Sequence, residues 1–295
     1  MCEDCDNQKD EYMDDSYSGI KVSWHENNKV SFRGKGKRGR YIAAEIEVDR
    51  SDVHKAKEIN RVLNKWGAVA VEDGSLDYQG YEINTAPAKD STFVREIREI
   101  CKALNDAQAN VNSSCGLHIH VDARDVGFAE LRRILRTYVN VEKDLFSMVA
   151  PSRRRSHYCN KVPSWVQTIV EKDMDVQQFR KDLIQRFYGT SDPNDYRYNT
   201  EEKDGGDRYW ALNIQSWFYR KTFEFRLHQG SVNPTKIIAW GKICESIINF
   251  GVNNSDEDIK RHFTNNDEPL GSILSPSLKA YFLERRKHFA KVSNR

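Results

Sequence analysis

Four short segments alternate between apolar and polar residues, and their polar positions draw on the same few residue types. The segments are residues 41–48, 80–85, 115–122 and 221–228. Successive side chains of a β-strand point to opposite faces, so each segment predicts a strand with one apolar and one polar face. The polar faces carry Glu45, Glu47, Glu82, Asn84, His118, His120, Asp122, Glu224, Arg226 and His228. If the strands form one sheet, these side chains converge on one of its surfaces.

Metal binding would explain such a surface. Neighbouring carboxylates repel one another, and divalent cations remove that repulsion. Oxygen ligands with an occasional His suit Mg²⁺ or Mn²⁺, and Arg226 would then pair with a phosphate that the metals hold. The alternative is an antiparallel sheet with one solvated face, although such faces usually carry Thr, Lys, Ser and Gln. His118 and His120 could also form a zinc pair, but no other spacing in the chain supports a zinc enzyme.

Helical periodicity separates the predicted strands. Apolar residues recur at helical spacing in residues 52–66, 90–105, 128–149, 176–187 and 233–250 and after Ser275-Pro276, and further strands are expected at residues 67–72 and 208–218. The mixture predicts an α+β fold. We expect a mainly antiparallel sheet with helices on its apolar face and an open, charged face for the site.

Composition bounds the function classes. The chain has 46 Lys and Arg against 44 Asp and Glu, a net charge of +2, which argues against a nucleic-acid binder. No run approaches the roughly 18 apolar residues of a membrane span. The acidic start, Met1 to Asp6, is unlike a signal peptide, and the scattered cysteines do not resemble a disulfide framework. These features predict a cytoplasmic protein without nucleic-acid or membrane partners.

Two regions differ from the predicted catalytic domain, which we place at residues 40–295. Residues 1–39 are polar and end in a basic run, so we interpret them as a mobile or loosely docked arm. Its Cys2-x-x-Cys5 pair is half of a four-ligand zinc site, so we interpret it as a zinc-module remnant or a free pair. Residues 151–207 form a loop-rich insertion, and loops on a rigid sheet commonly select the substrate.

Five motifs occur in the order in which the amidoligases carry them. They are AEIEV at 44–48, GYEINTAP at 80–87, CGLHIHV at 115–121, RYWALN at 208–213 and TFEFRL at 222–227. From about residue 41 to residue 250 the chain resembles this family of carboxylate–amine ligases with the glutamine synthetase fold. The resemblance implies a curved antiparallel sheet that holds ATP and two or three Mg²⁺ ions. In that family a carboxylate is phosphorylated by ATP, and an amine or ammonia attacks the acyl phosphate to give an amide.

The resemblance also implies roles for individual residues. It implies metal ligands at Glu45, Glu47, Glu82, His118 and Glu224. His120 is similar in position to a nucleotide or substrate contact, and Asn213 to a residue that orients the substrate. Arg208 and Arg226 resemble the arginines that stabilise phosphate and acyl phosphate. One departure is that the family commonly has glycine where this chain has Ala43 and Ala44.

Further candidates come from the chemistry of the reaction. The attacking amine must lose a proton, and Asp73 and Glu72, at the turn before the Glu82 strand, are candidate bases, with ordinary surface turn residues as the alternative. Arg153 and Arg155 are candidates for a phosphate or substrate clamp, with a solvated run as the alternative. Cys101, Cys115, Cys159 and Cys244 are expected to be small buried residues rather than nucleophiles.

The sequence leaves the substrates and some rival activities open. A ligase of this kind would join a small-molecule, peptide or protein carboxylate to an amine or ammonia, as a monomer or dimer. A phosphotransferase on the same fold would release ADP with a stable phosphorylated product. A metal-dependent hydrolase would need no ATP. The last rival is a non-catalytic binding protein that keeps the fold.

Overall fold

Seven strands form one open sheet in the part of the chain that the computed structural model describes, residues 20–23, 32–34, 39–76, 80–190 and 208–293. The strands are β1 (Val22–Ser23), β2 (Ile42–Val48), β3 (Val69–Val71), β4 (Tyr81–Asn84), β5 (Gly116–Asp122), β6 (Leu212–Asn213) and β7 (Thr222–Gln229). Their order across the sheet is β1-β3-β4-β2-β5-β7-β6. Only β1 runs parallel to its neighbour among these strands, so the predicted α+β fold with a mainly antiparallel sheet is confirmed.

Eleven helices occur in the described residues. They are α1 (Ala56–Trp66), α2 (Asp90–Asp106), α3 (Phe128–Ser147), α4 (Pro151–Arg154), α5 (Ser164–Glu171), α6 (Val176–Tyr188), α7 (Gln215–Arg220), α8 (Pro234–Asn253), α9 (Asp256–Phe263), α10 (Pro269–Ile273) and α11 (Pro276–Ser293). The start of α8 follows the predicted signal, because Asn233 accepts a hydrogen bond from the Lys236 amide and Pro234 occupies the first helical position. None of the described helices is long and apolar enough to cross a bilayer.

The apolar face of the sheet packs against α2, α3 and α8. On β2, Ile42, Ala44, Ile46 and Val48 are fully buried. A Cβ on Gly241 of α8 would lie 3.1 Å from Phe93 of α2 and 3.5 Å from Ile42, so the two helices and the strand meet there. Burying one face of the sheet in this way leaves the charged side chains on the other face.

The strand register aligns the charged side chains on that second face. Glu45 on β2 lies opposite Asn84 on β4 and His118 on β5, and Glu47 lies opposite Glu82. Beyond them, His120 lies opposite Glu224 on β7, which in turn lies opposite Asn213 on β6. Paired residues point to the same face, so these side chains share one surface.

A β-bulge in β7 changes one sequence-based assignment. The register between β5 and β7 shifts between Leu117 and Ile119, and His228 lies opposite Leu117. The strict alternation that placed His228 on the charged face is therefore wrong beyond the bulge. His228 is buried against Trp240 of α8, with ring centroids 5.2 Å apart, and burial lowers its pKa to about 3. It belongs to the core.

Residues 208–218 and the insertion also differ from expectation. In this segment only Leu212–Asn213 is a strand, and α7 follows it, with Trp217 and Phe218 both packed against Phe128. The insertion contains α4, α5 and α6, two more helices than predicted. Residues 191–207 of the insertion lie outside the described part of the chain.

Two short pieces of the predicted arm are described, and both contact the sheet. Val22 and Ser23 pair with Ala70 and Val71. The Arg33 amide donates to the Pro87 carbonyl over 2.8 Å, and Lys89 donates back to Arg33. The Cys2-x-x-Cys5 pair lies outside the described residues.

Candidate active site

Two adjoining cavities lie on the charged face. The first, called here the apolar cavity, has a volume of about 430 Å³, and its lining includes Phe32, Tyr41, Ala43, Val69, Val71 and Pro87. The second, called the charged cavity, has a volume of about 350 Å³, and its lining includes Glu47, Asp73, Glu82, Arg153, Arg208 and Arg226. Glu45 and Arg220 line both, so the cavities meet at these two residues.

Carboxylates and imidazoles form three overlapping groups where the cavities meet. In each group three ligand atoms lie within 4.8 Å of one another: Glu45, Glu82 and His118; Glu45, His120 and Glu224; and Glu47, Asp73 and Glu82. All five residues predicted as metal ligands belong to these groups. Oxygen donors outnumber nitrogen donors in every group, a composition that fits Mg²⁺ or Mn²⁺ better than zinc.

Glu45 is the central carboxylate. Its Oε2 lies 3.0 Å from His118 Nδ1, and its Oε1 lies 2.9 Å from His120 Nε2. Burial by itself would raise the pKa of Glu45. The charge of His120 and the hydrogen bonds from both imidazoles outweigh burial and hold that pKa well below its usual range. Glu45 is therefore an anion in the folded protein.

Glu82 has the opposite electrostatics. Its side chain is buried, and burial raises its pKa well above the usual range. The negative charges of Glu45, Asp73 and Glu47 raise it further, in that order. A carboxyl group surrounded by carboxylates in this way is the arrangement that a divalent cation relieves.

Glu224 is held by two neighbours. The Asn213 amide donates to its Oε2 over 2.7 Å, and Arg226 donates to its Oε1. Burial would raise the pKa of Glu224, but the charges of Arg226, His120 and His118 together outweigh burial, and the pKa lies below its usual value. Asn213, predicted to orient substrate, lines the charged cavity and contacts this carboxylate, and its own oxygen accepts a hydrogen bond from the Ser216 amide.

The predicted arginines occupy different positions. Arg226 and Arg208 line the charged cavity, and Arg208 donates to the Tyr209 hydroxyl. Arg153 also lines it, but its buried guanidinium donates to the carbonyls of Arg226 and Leu227 and so braces the bulge of β7. Arg155 is exposed at the end of α4 and is not part of the lining of either cavity. The structure does not bring it to the site.

Arg220 is a site residue that the sequence analysis missed. Its Nη1 lies 3.5 Å from Glu45 Oε1, at the junction of the two cavities. The available signal was its position two residues before the charged strand β7. Trp210 and Trp217 nearby are buried, whereas Tyr219 lines the charged cavity.

None of the four cysteines in the described residues lines either cavity. Cys101, Cys115, Cys159 and Cys244 are free and buried, as expected. Burial raises the pKa of Cys101 to about 12 and that of Cys115 to about 11. A thiol with so high a pKa is a poor nucleophile near neutral pH.

Comparison with known proteins identifies the family. The family model described as "Putative amidoligase enzyme" matches residues 17–248, most of the chain. A search of curated proteins gives no significant match. The matched region includes every residue of the three ligand groups and begins before the predicted catalytic domain. The chain therefore belongs to the amidoligase family, enzymes that form amide bonds.

Proposed function

We propose that this protein is an ATP- and Mg²⁺-dependent carboxylate–amine ligase that forms an amide or isopeptide bond through an acyl phosphate. The observation that carries the proposal is the set of three overlapping ligand groups flanked by Arg208, Arg220 and Arg226. Transfer of a phosphoryl group between anions requires charge neutralisation above all, and this face combines metal-ligating carboxylates with arginines.

The residues of the three groups fit divalent cations. Glu45, Glu82 and His118 would hold one ion, and Glu45, His120 and Glu224 a second. In the third group Glu47 and Glu82 would be the metal ligands, and Asp73 is kept as the proton acceptor. Bound Mg²⁺ would neutralise the phosphate oxygens of ATP. Burial first, and then the charges of Glu45, Asp73 and Glu47, raise the pKa of Glu82, and a cation bound among these carboxylates would offset that repulsion.

The arginines and Asp73 take defined roles in the two steps. First, an oxygen of the substrate carboxylate bonds to the γ-phosphorus as the bond to ADP breaks, and Arg208 and Arg226 stabilise the charge on the transferred group. The amine nitrogen then bonds to the acyl carbon, and inorganic phosphate leaves. The surplus proton of the amine passes to Asp73, which lines the charged cavity.

Titration of the purified protein with the ATP analogue AMP-PNP tests the first requirement. We expect binding with Mg²⁺ that is lost with EDTA and in Glu224→Gln. The matched control is Glu58→Gln, whose carboxylate pairs with Arg61 on the exposed surface of α1. Absence of binding in every metal condition would contradict the proposal.

A screen of carboxylates and amines tests the reaction itself. The expected products are ADP, phosphate and a compound whose mass equals that of the two substrates minus water. A stable phosphorylated product would indicate a phosphotransferase, and turnover without ATP would indicate a hydrolase.

A further inference from the structure

The apolar cavity is built from different side chains than the charged cavity. Its walls include the rings of Phe32 and Tyr41, with centroids 4.9 Å apart, and its floor includes Ala43, Val69 and Val71. Among the described residues, the aromatic lining of the charged cavity consists of three tyrosines and His118, and the other groups around it are mostly carboxylates and guanidinium groups. The apolar cavity therefore suits an apolar part of a ligand, and the charged cavity suits charged parts. The two cavities meet at Glu45.

A planar cation completes the aromatic wall. The Arg124 guanidinium lies 3.9 Å from the centre of the Phe32 ring and 5.6 Å from that of Tyr41. Asp122 fixes its plane by accepting two hydrogen bonds, both of 2.8 Å. Aromatic rings and guanidinium planes are the groups on which proteins stack nucleic-acid bases.

Phe32 keeps an accessible surface although its backbone is held. Phe32 is 45% exposed, and it is one of four large hydrophobic residues that are exposed among the described residues. The next residue is tied to the sheet edge by the hydrogen bonds between Arg33, Pro87 and Lys89. Because Phe32 lines the apolar cavity, its exposed ring adds to the apolar surface that a ligand in this cavity can contact.

The inner end of the apolar cavity is polar and positively charged. It includes His120, Arg220, Lys221 and Thr222, and it opens at Glu45 onto the ligand groups. A ligand with a planar apolar group at one end and phosphates at the other matches this change from an apolar to a charged lining. The cavity volume of about 430 Å³ lies within the usual range for small-ligand sites.

We infer that the apolar cavity binds the nucleobase of ATP, stacked against Phe32 and Arg124, while the acyl and amine substrates enter through the charged cavity. The inference rests on the proposed function. It assigns Phe32, Tyr41, Ala43 and Arg124 to base binding and places Arg220 beside the phosphates. It also gives the segment before the predicted catalytic domain a part in the site, because Phe32 belongs to that segment.

Two variants and two probes test the inference in the full-length protein. The probes are AMP-PNP and inorganic tripolyphosphate, each titrated with Mg²⁺. Phe32→Ala removes a stacking ring, and Ala43→Leu fills the floor of the cavity. We expect both to weaken AMP-PNP binding by about fivefold or more, the lower end of the loss for a stacking side chain. Tripolyphosphate lacks a base, so the affinity of both variants for it should stay within about twofold of the wild-type value. An unchanged affinity for tripolyphosphate would show that the three ligand groups are intact in the variants.

Val53→Ala is the control, because Val53 is an exposed apolar residue that is not part of the lining of either cavity. It should leave AMP-PNP affinity unchanged. Wild-type affinity in both Phe32→Ala and Ala43→Leu would overturn the inference while leaving ATP dependence intact. If the wild-type protein binds neither probe with Mg²⁺, the proposed function fails and the inference fails with it.

Discussion

His118 and Glu45 face each other across the β2–β5 ladder, with His118 Nδ1 3.0 Å from Glu45 Oε2. The same imidazole lies 3.5 Å from Glu47 through its Nε2 and 3.8 Å from Glu224 through its Nδ1. One histidine thus contacts carboxylates from two strands, and Glu45 belongs to two of the three ligand groups. Changes at this pair should affect the whole site.

The first prediction concerns the charge of Glu45. Glu45→Gln keeps the size of the side chain but removes the anion that two ligand groups share, so we expect turnover to fall by more than about 100-fold. The circular dichroism spectrum should not change, because the apolar face of the sheet does not include this residue. Turnover within tenfold of wild type, with Glu58→Gln as the control, would contradict the metal assignment.

Asn213 should act by positioning Glu224. It donates to Glu224 Oε2 over 2.7 Å and is almost fully buried. Asn213→Ala removes this donor, and we expect Mg²⁺ affinity to fall about 10- to 100-fold, as for other residues that orient a ligand. Asn213→Asp replaces the donor with a second carboxylate, so apo-protein stability should fall further in this variant than in the alanine variant. Calorimetric Mg²⁺ titration and thermal melts measure both effects, and an aspartate variant as stable as wild type would exclude the role.

Replacing Glu82 should affect thermal stability differently without and with Mg²⁺. Mg²⁺ at about 100 times its dissociation constant should stabilise the protein by about 2.7 kcal/mol. Without Mg²⁺, Glu82→Gln should melt at the same temperature as wild type or higher, because it removes a carboxyl group crowded by Glu45, Asp73 and Glu47. Mg²⁺ should raise the melting temperature of this variant by less than it raises that of the wild-type protein. Melting curves in Mg²⁺ and in EDTA test this, and an equal Mg²⁺-induced shift in both proteins would remove Glu82 from the ligand set.

Much of this site could be predicted from the sequence because strand alternation is a local property. The period of two placed Glu45, Glu47, Glu82, His118 and Glu224 on one face, and the register between strands keeps them there. Alternation fails where the backbone departs from regular pairing. The bulge of β7 moved His228 into the core, and no residue type in that segment signals it.

Other features depend on contacts between distant segments, which no local pattern contains. Arg153 and Arg155 are two residues apart in one basic run, yet the first braces β7 and the second is exposed. Arg220 reaches Glu45 from 175 residues away along the chain. The apolar cavity likewise joins Phe32, which precedes the first long strand, to Arg124 beyond β5. Tertiary packing decides these positions.

Gly251 should be intolerant of a side chain. It lies where α8 crosses α3, and a Cβ there would be 2.6 Å from the Ile134 Cα and 2.9 Å from its amide nitrogen. Backbone cannot move aside as a side chain can, so we expect Gly251→Ala to cost about 1–3 kcal/mol. Gly74→Ala is the control, because nothing lies within 4 Å of a Cβ at that position. Denaturant titration compares the two, and equal midpoints would contradict the close approach of the helices.

Glu96 should make stability depend on pH. Its carboxyl group on α2 is fully buried, and burial raises its pKa from 4.5 to about 8, although the Ala86 amide and the charge of Arg33 act against the shift. The folded state therefore binds a proton more tightly than the unfolded state. Its contribution to stability is fully present below about pH 4.5 and is lost as the pH rises through about 8. Glu96→Gln, which cannot ionise, should lose this dependence.

Denaturant unfolding at pH 6 and pH 8.5 measures the Glu96 effect as a difference between the two proteins. Relative to wild type, Glu96→Gln should gain stability as the pH rises, by at most about 1.4 kcal/mol per pH unit. The glutamine oxygen can still accept the hydrogen bond that the Ala86 amide gives to Glu96 Oε1. Other titrating groups are common to both proteins and cancel in the comparison. A constant difference across this range would show that Glu96 is already ionised in the folded protein at pH 6, and that burial does not control its charge.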